Sequence, residues 1–200
     1  MKVRTALLLT LLAEGAIAAL GVFEYGSSIE ALQATTRFSG RLSLFIFSFI
    51  FLLYPQSRTS LPSYFSGKYF LVFAFAHGIH LLELLSYVYL AGIELVPYRV
   101  AGGFLAYSMI FAMPWFQGLS IGGKISPMRF QTLGYVYLFY VWLIFFMTYV
   151  SRVNGSFPNA GGSHLEHVIL MGWVCVMLGI KLWQCLRKNL LERPARLLRR

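Results

Sequence analysis

Six apolar stretches, each roughly 20 residues long and so of bilayer-spanning length, leave this chain almost no fold but a membrane one. They run Thr5–Phe23, Thr35–Tyr54, Tyr69–Gly92, Val100–Leu119, Leu133–Val150 and Leu165–Leu186. A helix rises 1.5 Å per residue, so a stretch of that length crosses about 30 Å of hydrocarbon. Only 12% of the 200 residues are charged, against about 25% in a soluble domain. Seven acids are present and none is Asp. The expected fold is all-α: a polytopic membrane protein with a six-transmembrane-helix bundle over residues 1–186 and a basic tail over 187–200. Pro55, Pro62, Pro97, Pro127 and Pro158 fall in the connections, where helix-stopping residues belong. Pro114 falls inside the fourth stretch and predicts a kink.

The basic residues orient the chain. Lys2 and Arg4 precede the first span, Arg58 and Lys68 lie between the second and third, and Lys124 and Arg129 lie between the fourth and fifth. Lys181, Arg187, Lys188, Arg193, Arg196, Arg199 and Arg200 follow or close the sixth. Only Arg37, Arg41, Arg99 and Arg152 fall toward the other side. The positive-inside rule then places both termini in the cytoplasm, with an even number of spans. The net charge of +10 reads as this asymmetry rather than as a nucleic-acid surface. The leucines and bases of Lys181–Arg200 fit an anionic leaflet, with Pro194 breaking the segment. The N-terminus resembles a signal peptide, but the apolar run continues past Ala18 and Glu14 interrupts it. A retained first helix is expected.

Ionisable groups inside the spans are the candidate site. His77, His80 and Glu83 stand three residues apart within Phe70–Leu90, within about 120° of one another on one helix face. Each such group costs about 2.5–3.5 kcal/mol at the centre of a bilayer helix, so it marks a functional position by default. A neutral imidazole can ligate haem iron or a transition metal without burying a net charge. The bland alternative is that each histidine donates to a group on a neighbouring helix.

The charge-free part of the second span, Leu42–Tyr54, is too short to cross, so Arg37 and Arg41 must lie in or just above the membrane. Depth counting places Arg41 within about one turn of Glu83, which suggests a buried ion pair. Arg37 and Arg41 are alternatively a cationic cap for propionates. Glu14 is another intramembrane acid, among small residues suited to close helix packing. His164, Glu166 and His167 open the sixth span. His167 is a weak metal-ligand candidate, because the span boundaries put it near the outer surface, roughly 15 Å from the depth of His80. A non-haem metal site built from His77, His80 and Glu83 is a further alternative.

Several chemistries lack their residues. Cys175 and Cys185 have neither a metal nor a redox spacing. There is no Gly-rich phosphate loop and no nucleotide-binding unit. A soluble electron donor would have to bind another chain.

The stretch Phe73-Ala74-Phe75-Ala76-His77-Gly78-Ile79-His80-Leu81 resembles the third helix of small bacterial six-helix proteins of the ferric-reductase-like transmembrane group. Leu133-Gly134-Tyr135 and Trp142-Leu143-Ile144-Phe145 are similar to the fifth helix of that group. The resemblance implies b-type haem held by membrane histidines and electron transfer across the bilayer with a separate donor protein. It implies His77 and His80 as ligand candidates and Arg37 and Arg41 as propionate partners. The group tends to carry a Leu-His pair just before the fifth helix, where this chain reads Phe130-Gln131-Thr132, and the fifth span has no histidine. Ligation between the third and fifth helices is therefore excluded. The second ligand comes from elsewhere, the iron is five-coordinate, or the scaffold has lost its cofactor.

Overall fold

The computed structural model describes residues 3–54, 68–95, 97–156 and 161–197, with side chains for all but 98, 99 and 188–197. Lys2, Pro55, Arg58, Pro62, Pro158 and the last three residues lie outside the described residues. The side chains of Arg99 and of the tail bases from Lys188 onward do so too.

Among the described residues every regular element is helical. The helices are α1 (Val3–Tyr25), α2 (Ile29–Leu53), α3 (Tyr69–Leu90), α4 (Pro97–Ile121), α5 (Pro127–Val153) and α6 (His164–Leu197). Each contains a segment long and apolar enough to cross a membrane. The chain divides into two compact units, Met1–Ile144 and Phe145–Arg200. In the first, α2 and α3 form the most extensive helix pair; α1 packs on both, and α4 packs on α3.

The helix starts explain where the sequence boundaries fell short. Ser28 caps α2: its Oγ accepts from the Ala31 N–H at 3.2 Å and donates to the Tyr25 carbonyl at 3.0 Å. Gly26 turns the chain at φ 68°. The connection between α1 and α2 is thus three residues, and α2 begins six residues before the expected Thr35. Arg41 consequently stands twelve residues, about 18 Å, into its helix rather than near its mouth. Pro97 and Pro127 are not in connections; they are the first residues of α4 and α5, where a missing N–H costs nothing. Helix α4 continues through Pro114.

Helix α1 is arranged for lipid, not water. Its buried residues are Ala6, Thr10, Glu14 and Gly21. Its outward residues include Leu8, Leu9, Leu11, Leu12 and Leu20, each more than half exposed. Small and polar groups face the protein and leucines face outward, as in membrane helix packing.

The core of the first unit is aromatic. Phe47, Phe51, Phe70, Phe73 and Tyr137 are fully buried. Phe47 meets Phe73 at 5.4 Å between ring centroids, and Phe70 meets Tyr137 edge-on at 5.3 Å. Tyr54, just past the end of α2, rests against Gly134 of α5. Its hydroxyl donates to the Phe130 and Gln131 carbonyls, each at 3.3 Å.

In the second unit, α6 does not break at Pro194 but runs to Leu197. Lys181, counted with the tail by sequence, is 1% exposed and lies within the apolar part of α6.

Candidate functional site

The site is built where α1, α2 and α3 meet. Helix α3 supplies His77, His80 and Glu83, α2 supplies Arg37, Ser39, Gly40, Arg41 and Ser43, and α1 supplies Glu14.

Two aromatic rings stack on the His77 imidazole. Phe73 stacks on it at 5.2 Å and 26°, one turn back on α3. Tyr107 of α4 stacks on it at 4.8 Å and 24°. A ring held this way has a defined direction for its nitrogen-bearing edge.

His80 lies 5.3 Å from His77, with the two rings inclined by 41°. Its edge is pressed on α2. A Cβ added to Gly40 would lie 3.0 Å from Cε1 and 3.4 Å from Nε2 of His80. Glycine at this position is what lets α2 and α3 approach with an imidazole between them.

Arg37 and Arg41 lie one helical turn apart on α2, and both guanidinium groups pack on the ring of Phe38, at 5.1 and 4.7 Å. The surroundings of Glu83 differ from expectation. Its carboxyl group lies beside the Ser39 hydroxyl, and so does that of Glu14. Glu14 and Glu83 are close enough to interact electrostatically. Glu83 therefore meets a serine and a second acid. Glu14 is 3% exposed and Ser39 and Ser43 are fully buried. Among the described residues, both oxygens of Glu14, Oε2 of Glu83 and the hydroxyls of Ser39 and Ser43 find no hydrogen-bond partner.

The histidine cluster at the start of α6 has a partly structural role. Glu166 Oε2 accepts from the Ser163 N–H at 3.0 Å, and Ser163 Oγ accepts from the Glu166 N–H at 3.2 Å. This is a reciprocal capping box. His164 is exposed, whereas His167 is 4% exposed, unlike a solvated loop histidine. Cys175 and Cys185 are both free thiols.

The donor set can be tested against the groups expected for it. Among the described residues no three His, Cys, Asp or Glu side chains are grouped to hold a metal ion, so His77, His80 and Glu83 do not form a three-ligand site. Two axial haem ligands must approach iron from opposite faces. His77 and His80, three residues apart on one helix, cannot do so. A porphyrin on Nε2 of His80 would lie across the edge that abuts Gly40, so His80 does not fit ligation in this packing. His77, stacked on Phe73 and on Tyr107, fits one-sided ligation.

Sequence reasoning missed Ser39, Gly40, Tyr107 and the meeting of Glu14 with Glu83. The available signal was two mid-span serines four residues apart, Ser39 and Ser43, on the helix that also carries two arginines.

Six membrane-length apolar helices with an ionisable cluster inside α1–α3 define a multi-pass membrane protein. No family model, curated protein or solved structure matches the chain.

Proposed function

We propose that the chain, as its resemblance to the ferric-reductase-like group implies, holds one b-type haem through His77 in the bacterial inner membrane. In this reading both termini are cytoplasmic and a separate donor protein delivers the electrons. The observation that carries it is the His77 imidazole held between Phe73 and Tyr107 inside a membrane helix. Burying an ionisable ring at that depth is costly, and ligation of iron by the neutral ring gives it a use. Bound haem would supply a one-electron centre. The chain's own residues would orient the ligand through Phe73 and Tyr107 and offer Arg37 and Arg41 to the propionates.

The test is the absorption spectrum of protein expressed with ample haem and iron and purified in mild detergent. A Soret band that is lost in His77→Ala and kept in His80→Ala supports the reading. Protein carrying no haem refutes it. A second reading, a membrane protein without a cofactor, is favoured by the way Gly40 closes against His80.

A further inference from the structure

We propose that Glu14, Ser39 and Glu83 form an intramembrane site for a single positive charge, a proton or a sodium-sized cation, held where α1, α2 and α3 meet. The two carboxyl groups come from different helices, α1 and α3, which pack on each other and on α2, and the fully buried Ser39 hydroxyl of α2 neighbours both. Four carboxyl and hydroxyl oxygens there, both of Glu14, Oε2 of Glu83 and Oγ of Ser39, lack a hydrogen-bond partner among the described residues. The Ser43 hydroxyl is also buried without one, one turn along the same face of α2.

Buried polar atoms are nearly always satisfied. Two carboxylates in a low-dielectric interior repel each other strongly. One bound positive charge answers both demands, because it bridges the oxygens and removes the repulsion. The donors are all oxygen, which suits a proton or a hard cation rather than a soft metal. The other charged or titratable groups in the middle turns of the packed helices are Arg37 and Arg41 on α2, His77 and His80 on α3, and Tyr107 on α4, while Arg4, Glu24 and Tyr25 on α1, Glu30 on α2 and Tyr69, Tyr87 and Tyr89 on α3 stand toward the helix ends. The two arginines already bring positive charge to α2, which disfavours a divalent occupant. This site does not depend on haem at His77.

The test uses the full chain in mild detergent and dicyclohexylcarbodiimide, an apolar reagent that adds to protonated carboxyl groups, with the labelled residues located by peptide mass mapping. The expected result is modification of Glu14 or Glu83 that declines as pH rises. If sodium chloride gives no more protection than choline chloride, the occupant is a proton. Specific protection by sodium makes it the alkali ion. Ser39→Ala, a small change, should shift the pH profile of labelling. Glu83→Gln should shift that of Glu14, and infrared pH-difference spectra of the unsubstituted chain should show a protonated-carboxyl band. The proposal is overturned if neither glutamate is labelled at any pH, if Ser39→Ala leaves the profile unchanged, or if only calcium protects. The Soret band is read separately, so loss of the haem reading leaves this test intact.

Discussion

Gly40 and His80 meet so closely that a Cβ on the glycine would lie 3.0 Å from Cε1 of the imidazole. The contact joins α2 to α3, the most extensive helix pair of the first unit. Gly40→Ala should therefore destabilise the protein by about 1–3 kcal/mol, the usual cost of overpacking. Removing the ring should relieve the clash, so Gly40→Ala with His80→Ala should be more stable than the sum of the single losses. Thermal unfolding in detergent of the four proteins of that cycle decides it. Simple additivity would show that the imidazole is not confined by α2.

Tyr54 ties the end of α2 to the first turns of α5. Its hydroxyl serves the Phe130 and Gln131 carbonyls, at the position where the resembling group carries histidine. Tyr54→Phe keeps the ring against Gly134 and removes only the donor. The expected loss is about 0.5–1.5 kcal/mol for a hydrogen bond of this kind. Faster amide exchange in the first turns of α5 should accompany it. An unchanged melting temperature together with unchanged exchange would count against the tie.

Ser163 and Glu166 start α6 by exchanging hydrogen bonds. Ser163→Ala should cost about 0.5–2 kcal/mol and raise hydrogen exchange over His164–His167. Ser163→Asp, which retains an accepting oxygen, should restore most of the protection. Equal exchange in all three proteins would remove the box as the helix start.

Much of this fold was legible because one periodic need dominates it: a span requires an unbroken apolar run of fixed length. The ends were less legible. Gln33 and Glu30 look like connection residues, yet they lie in α2 because Ser28 caps it and the turn before it is only three residues long. Pro97 and Pro127 look like stops, but a proline at a first helical position is also a start. His77, His80, Glu83, Arg37, Arg41 and Glu14 stood out because charge in an apolar run is conspicuous. Their partners did not. Whether Glu83 faces Arg41 or Ser39 depends on the rotation and register of α1, α2 and α3, which residue spacing within one helix does not encode. Lys181 begins a basic run in the sequence, yet four turns of α6 precede it.

The topology has its own test. The basic residues outside the spans favour cytoplasmic termini, and the structure puts the connection between α1 and α2 at residues 26–28. Reporter fusions after Lys68, Lys124 and Arg200 should read as cytoplasmic. Fusions after Ser27, Glu94 and Gly155 should read as external. Inversion at two or more sites would sink this orientation.

The most exposed prediction concerns the ring stack on His77. Phe73 and Tyr107 both stack on it, at 5.2 and 4.8 Å. An aromatic pair contributes about 0.5–1.5 kcal/mol beyond its buried area, so Tyr107→Leu should lower stability modestly whether or not a cofactor is present. If His77 ligates haem, the same change frees the ring to turn and should also shift the Soret maximum or the reduction potential. Tyr107→Phe, which keeps the stack, should leave both close to the parent values. His77→Ala should abolish the band, and His164→Ala, an exposed position, should leave it unchanged. Stability loss in Tyr107→Leu with an unaltered spectrum would separate the two roles: the stack would then belong to helix packing between α3 and α4, and any haem would be held elsewhere.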